Sequence, residues 1–149
     1  MRGASAAFVI LAVATACDSP TSPSADLSGT WDFTFSALGQ ASCPGEPELV
    51  AGCAGSGRLV LGRTTPQVAA THSFRASCQS CRGAFDYGVT EQPLATARLT
   101  RGTFQFALAG CHFAAEASEP AQRVAGAVVC TMSDGAGPDV RGDWSMSRR

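Results

Sequence analysis

Apolar and polar residues alternate one by one along most of the chain after residue 28, and a period of two indicates strands that bury one face. The first run shows this clearly, because Trp31, Phe33 and Phe35 alternate with Asp32 and Thr34. The pattern returns in later segments, namely 59–61, 68–76, 83–89, 97–99, 104–115, 128–130 and 140–146. No stretch has the 3.6-residue period of a useful amphipathic helix. The sequence therefore predicts an all-β domain.

Short strands that follow one another through hairpins are typical of a small antiparallel up-and-down barrel, here of about eight strands. A β-sandwich of the same strands is the alternative. A two-residue turn at 79–80 would place Phe74 opposite Phe85 and His72 opposite Tyr87, so that both apolar faces coincide. We therefore expect a hairpin with this register.

Two more registers follow from the same alternation. A turn at Arg101 and Gly102 places Leu99 opposite Phe104. Gly110 lies where the apolar positions change from even to odd numbers, and a bulge or bend there would return both runs to one buried face. A loop at 119–122 then brings the last part of this run against 128–130.

The chain has seven cysteines, an odd number. If Cys17 is modified by lipid, six remain, which is the even count expected of a disulfide-stapled exported domain. The register around the 119–122 loop places Cys111 opposite Cys130, where a disulfide can form. We expect six disulfide cysteines, at positions Cys43, Cys53, Cys78, Cys81, Cys111 and Cys130.

Two of these cysteine pairs are close in sequence. Residues 39–56 are rich in glycine and predict a long loop pinned by a disulfide between Cys43 and Cys53. Cys78 and Cys81 form a Cys-x-x-Cys pair, but they lie between two strand patterns and not at the start of a helix. This placement favours a structural disulfide over a redox motif.

The N-terminal residues 1–16 have the features of a secretory signal peptide. A basic Arg2 precedes the apolar run 8–13, which is too short to span a bilayer permanently, and small residues lead up to Cys17. This arrangement resembles the bacterial lipobox. The resemblance implies cleavage before Cys17, a diacylglycerol thioether on its sulfur and a further acyl chain on its new amino group.

Such a lipid anchor holds the protein on a membrane of the bacterial cell envelope. We expect the domain in the periplasm or at the cell surface. Residues 17–28 are rich in proline and serine and predict a flexible linker, and 29–149 form the β-domain. The formal net charge of −1 gives no electrostatic basis for binding nucleic acid.

Gly29, Thr30 and Trp31 on the first strand, with Arg148 near the end of the last, resemble the Gly-x-Trp and terminal arginine of lipocalin-like and avidin-like barrels. The resemblance covers two short segments. It implies that Trp31 closes one end of a barrel and that Arg148 packs across it.

Candidate chemistry is sparse. His72 and His112, with the Cys-x-x-Cys pair, provide zinc-ligand types, but a second ligand pair at regular spacing is missing. Asp134, Asp139 and Asp143 lack the alternating oxygen ligands of a calcium loop. We expect no catalytic residue, no metal and no cofactor, and therefore no enzyme.

Two functions of different classes remain. In the first, the protein is a membrane-anchored envelope lipoprotein of structural or interaction type, whose partner is another envelope protein. In the alternative, the barrel binds a small apolar ligand, as lipocalins do. The residues expected to line that interior are Trp31, Phe33, His72, Phe74, Phe85, Tyr87, Phe104, Phe106, Phe113 and Trp144.

Overall fold

The computed structural model of the chain describes residues 25–43, 45–63, 68–131 and 139–149. These residues form an all-β fold without a helix, in which nine antiparallel strands make one curled, half-barrel sheet. The strands are β1 (Gly29–Cys43), β2 (Glu46–Leu61), β3 (Ala70–Ser80), β4 (Gly83–Pro93), β5 (Arg98–Thr100), β6 (Thr103–Leu108), β7 (Cys111–Glu116), β8 (Arg123–Cys130) and β9 (Val140–Arg148). The predicted disulfide-stapled, antiparallel all-β fold is confirmed.

The strand order in the sheet is β4-β3-β2-β1-β9-β8-β7-β6-β5. Consecutive strands pair with each other except β4 and β5, and β1 pairs with β9, so the first and last strands lie side by side at the centre. The chain between β4 and β5 still pairs with the residues at the start of β3. Leu94 N–H donates to Ala70 O at 2.8 Å, and Val68 N–H donates to Ala97 O at 3.0 Å. The link between β4 and β5 therefore stays hydrogen-bonded to the segment that leads into β3.

The ninth strand comes from the segment around Gly110. The structure has a two-residue hairpin turn there, with φ of 49° at Ala109 and 76° at Gly110, and Leu108 pairs with Cys111. Positive φ at both central residues is the geometry that lets a tight turn follow the twist of the strands. The two runs do share one buried face, as predicted, and a tight hairpin turn brings this about where a bulge or bend was expected.

The register between β3 and β4 also differs from the predicted one. The turn lies at 81–82, two residues later than expected, and Gly83 follows it with a φ of 118°. Cys78 therefore lies opposite Phe85, and Ala76 lies opposite Tyr87. Glycine accepts this backbone conformation without strain, so the glycine at position 83 was the sequence feature that indicated where the turn lies.

Residues 39–56 are not a loop. Residues 39–43 and 46–56 belong to the distal half of the β1–β2 hairpin, in which Gly39 pairs with Ala51. The disulfides also cross between hairpins, because Cys43 is bonded to Cys81 and Cys53 is bonded to Cys78. The expected local pairs, Cys43 with Cys53 and Cys78 with Cys81, are therefore wrong. Small residues obscure the alternation in this segment.

Other predicted registers are present. Leu99 pairs with Phe104 across the turn at 101–102, and Cys111 pairs with Cys130 across β7 and β8. The last two cysteines are joined by a disulfide. These registers could be predicted from the sequence because apolar and polar residues alternate regularly on both strands of each pair.

The inner face of the curled sheet carries the hydrophobic core. Its largest fully buried side chains include Trp31, Phe33, Phe104 and Phe113. The core also receives Ala25 and Leu27, both nearly inaccessible to solvent. Residues 25–28 thus belong to the packed domain, and the predicted linker of 17–28 extends four residues too far. Positions 17–24 of that linker, and all of the signal peptide, lie outside the described residues.

Candidate functional site

The residues expected to line a ligand cavity separate into two groups. Phe85 and Tyr87, on β4, are 47% and 39% exposed. The other eight lie on the inner face and are buried, namely Trp31, Phe33, His72, Phe74, Phe104, Phe106, Phe113 and Trp144. The structure therefore brings most of the predicted set together.

The rings of the buried group fill the space between the strands. Phe106 and Phe113 stack in parallel with their centroids 4.5 Å apart. Trp144 meets both rings edge-on, at 5.2 Å and 5.9 Å, and Phe33 meets Phe113 edge-on at 6.4 Å. These separations are those of directly packed aromatic pairs. The side chains occupy this part of the interior themselves, as in a small barrel with a filled core.

Trp31 and Arg148 close the end of the sheet at which the packed domain begins. Trp31 pairs with Arg148 across β1 and β9, and the guanidinium carbon lies 5.0 Å from the centroid of the Trp31 ring. The indole N–H donates to Leu27 O at 2.8 Å, and the guanidinium donates to Asp26 O at 2.9 Å. These hydrogen bonds hold residues 25–28 in place across this end of the sheet.

Asp26 receives further contacts at the same end. Its backbone N–H donates to a carboxylate oxygen of Glu119, and its own carboxylate lies 3.6 Å from the guanidinium of Arg63. Hydrogen bonds from Ser28, first from its side chain and then from its backbone, lower the pKa of Asp26. These contacts hold the segment in place and offer no acid and base pair.

His72 is the buried ionisable side chain of the inner face, with 6% of its surface exposed. It lies opposite Gln92 and not opposite Tyr87 as predicted. Its ring centroid is 5.7 Å from that of Phe74, and its Nδ1 finds no hydrogen-bond partner among the described residues. Burial lowers the pKa of His72, and the backbone of Gln92 acts in the opposite direction. Burial thus favours the neutral ring.

The candidate zinc ligands are not brought together. The sulfurs of Cys78 and Cys81 are held in disulfides with other strands, and His112 is exposed on β7. In the calcium candidate, Asp134 lies outside the described residues, while Asp139 and Asp143 are exposed. Within the described ranges, no three His, Cys, Asp or Glu side chains are arranged to hold a metal.

Two exposed apolar side chains lie on the outer face of the β1–β2 hairpin, at the end of β1 distant from Trp31. Leu38 is 49% exposed and Val50 is 52% exposed. Leu38 pairs with Gly52 and Val50 with Gln40, so the two apolar side chains are diagonal neighbours on one face. We call this pair the distal patch. Sequence reasoning missed it because it treated 39–56 as a loop.

Among the described residues, shallow grooves on the outer face include two of measurable size. The larger, about 560 Å³, runs across β2, β3 and β4 and includes Ser56, Arg75, Ser77 and Asp86. Ser77 Oγ donates to Asp86 Oδ1 at 2.7 Å. The smaller groove, about 360 Å³, runs across β1, β8 and β9.

Comparison of the chain with protein-family models, curated proteins and solved structures found no match. Within the described part of the chain, no helix is long and apolar enough to cross a membrane.

Proposed function

We propose that the protein is a lipid-anchored lipoprotein of the bacterial cell envelope, without a catalytic site, that works by binding another envelope protein. The observation that supports this best is the filling of the inner face by stacked and edge-on rings, Phe33, Phe106, Phe113 and Trp144 among them. A domain with a filled interior acts through its surface and loops.

The position of the distal patch fits an anchored binding domain. Ala25 and Leu27 are buried, and Leu27 O accepts a hydrogen bond from the Trp31 indole at one end of the sheet. From Gly29 to Leu38, β1 extends over about 30 Å at the usual rise per strand residue. An anchor on Cys17 would therefore join the domain at the end opposite to Leu38 and Val50. Exposed apolar side chains grouped away from the anchor are suited to a protein partner.

The anchor is tested by replacing Cys17 with serine. Serine lacks the thiol that accepts the diacylglycerol, so the variant should move from the detergent phase to the aqueous phase in Triton X-114 partitioning. Unchanged partitioning would overturn the lipoprotein assignment.

The distal patch is tested by photo-crosslinking in intact cells with a benzophenone amino acid at Leu38. The matched control is Val60 on β2. Like Leu38 it is apolar and well exposed, but it lies near the end of the sheet where the anchor would join. We expect a discrete crosslinked protein from position 38 and none from position 60. Equal crosslinking at both positions, or none at Leu38, would contradict a partner at the patch.

The alternative, binding of a small apolar ligand, is favoured by one observation. Phe85 and Tyr87 lie partly open on the inner face of β4, where Tyr87 is 5.3 Å from the ring of Phe74. Native mass spectrometry of the mature protein, before and after mild organic extraction, separates the two functions. A stoichiometric extractable mass would establish the carrier function, whereas its absence favours the interaction function.

A further inference from the structure

β4 is an edge of the sheet formed by the described residues, and it is open on both faces. Its regular part, 84–90, lies between two residues with positive φ, Gly83 at 118° and Glu91 at 50°. Tyr87 is at the centre of this part, three residues from each of its ends. Within 84–90 the edge carries one charged side chain, Asp86, and no lysine or proline, whereas Glu91 and Pro93 follow this part in β4. Native edges usually carry such protection against pairing.

We propose that β4 pairs with β4 of a second copy of this chain, antiparallel and centred on Tyr87. The result is a symmetric dimer whose two sheets are continuous across the new strand pair. The free backbone N–H and C=O groups of one edge bind those of the other, and the same surface serves both copies. This surface is distinct from the distal patch, so the dimer does not depend on the proposed function.

The inner faces of the two strands match in this register. Tyr87 lies opposite Tyr87 of the second copy, and Phe85 lies opposite its Val89. Phe85 and Tyr87 are the partly exposed apolar residues of this face, and Val89 already packs against the core of its own copy. Directly opposed aromatic and β-branched side chains stabilise antiparallel pairs. Pairing therefore covers the apolar surface that β4 leaves open.

The outer faces match through charge. Asp86 lies opposite Gly88 of the second copy, and Arg75 of that copy is the β3 neighbour of Gly88. A Cβ on Gly88 would lie 3.7 Å from Arg75 Cγ, so the arginine stem passes beside a position without a side chain. Arg75 has no ion pair within 4.0 Å among the described residues. In the dimer each Arg75 reaches Asp86 of the other copy, which gives two symmetric ion pairs.

Neighbouring registers are less favourable. The inner face of one β4 meets the inner face of the other only when the two-fold axis passes through a residue and not between two residues. The nearest alternative registers are therefore centred on Asp86 or on Gly88. The first places two Asp86 carboxylates opposite each other, and the second places Phe85 opposite Glu91. Like charges directly opposite each other are destabilising. The register centred on Tyr87 avoids both conflicts.

The first test is sedimentation equilibrium of the full-length protein in density-matched detergent. We expect the wild type to be a dimer. Asp86→Arg or Arg75→Asp alone should raise the dissociation constant at least tenfold, because the dimer contains two Arg75–Asp86 pairs and each substitution turns both of them into pairs of like charges. The double variant Arg75→Asp with Asp86→Arg restores both ion pairs and should restore the dimer. A monomeric wild type at 100 µM, or a double variant no tighter than the singles, would overturn the proposal.

A second test reads the register directly. The chain has a single tyrosine, Tyr87, so any dityrosine must join two copies. Photo-oxidation with a ruthenium complex and persulfate removes one electron and one proton from each phenol, and a carbon–carbon bond joins the rings. We expect dityrosine fluorescence in the dimer band for the wild type and its loss in Asp86→Arg. A sedimenting dimer that gives no dityrosine would show that the copies meet elsewhere.

Discussion

Arg148 lies over the indole of Trp31, with its guanidinium carbon 5.0 Å from the ring centroid, and joins the last strand to the first. Trp31 is completely buried, and the arginine also donates to Asp26 O. A cation above an aromatic face is attracted by the ring quadrupole. One side chain therefore connects β1, β9 and the segment that closes this end of the sheet.

Replacing Arg148 with alanine should lower the free energy of unfolding by about 1–2 kcal/mol, the sum of a cation–π contact and a hydrogen bond. Arg149 is the matched control, because the contact of its guanidinium with the described residues is an exposed ion pair with Asp32 at 3.7 Å. Exposed ion pairs contribute roughly 0–1 kcal/mol. Urea unfolding followed by tryptophan fluorescence measures both variants. An equal loss in the two would mean that the contact with Trp31 contributes nothing.

The sequence predicted the parts of the fold where alternation is uninterrupted. The pairing of Cys111 with Cys130 followed from strands whose apolar residues recur without a break on one face. About eight strands were expected, and the tight turn at Gly110 divides one of the expected runs into β6 and β7, which gives nine. A bulge and a tight hairpin change the parity equally, so the pattern alone does not separate them, whereas the pairing of Leu108 with Cys111 and the positive φ of Ala109 and Gly110 identify the hairpin.

The distal half of the first hairpin was not predictable from alternation. Glycine and alanine dominate its inner face, so the strand carries little apolar signal between 39 and 56. The distal patch of Leu38 and Val50 was missed with it. The disulfides from Cys43 and Cys53 join residues 38 and 25 positions apart, and such long-range partners leave no local pattern. The buried aromatic cluster, in contrast, was correctly placed on one face.

The three disulfides are checked by peptide mapping of the unreduced protein. We expect crosslinked peptides that contain Cys43 with Cys81, and Cys53 with Cys78, in addition to the pair Cys111 with Cys130. Reduction before digestion is the control, since it should remove all three species. A peptide linking Cys78 to Cys81 would contradict the turn at 81–82.

Removing the disulfide between Cys111 and Cys130, by alanine at both positions, should cost about 2–4 kcal/mol. Both cysteines are buried in the main core. The pair Cys43 and Cys81 belongs to a small separate cluster, so its removal should loosen the end of the first hairpin and lower global stability less. Chain entropy alone predicts the reverse order by about 0.6 kcal/mol, because the loop between Cys43 and Cys81 is twice as long. Urea titrations of both double variants decide which effect is larger.

Gly142 marks a close approach between β9 and β1. A Cβ at this position would collide with the backbone oxygen of Ser36 and would lie 2.7 Å from Ala37 Cα, so the strands would have to separate. We expect Gly142→Ala to cost roughly 1–3 kcal/mol. Gly88→Ala is the control, since its nearest contacts are 3.7 and 3.8 Å away and its φ is ordinary. Thermal unfolding of the two variants checks the difference, and a tolerated Gly142→Ala would contradict the close approach.

His72 should make the stability of the domain depend on pH. Burial lowers its pKa in the folded state below the unfolded value near 6.5, so the unfolded chain takes up the proton first. The stability is therefore complete above about pH 6.5 and falls as the pH drops from there towards the folded pKa. We expect the free energy of unfolding, from urea titrations, to be lower at pH 5.5 than at pH 7.5.

The chain has only two histidines, and His112 is exposed, so His112→Gln is the matched control for His72→Gln. The control should keep the difference in unfolding free energy between pH 7.5 and 5.5, whereas His72→Gln should remove most of it. Glutamine does not titrate and the loss of the ring acts equally at both pH values, so the difference between the two pH values isolates the titration. If both variants retain the wild-type dependence on pH, carboxylates and not His72 control it.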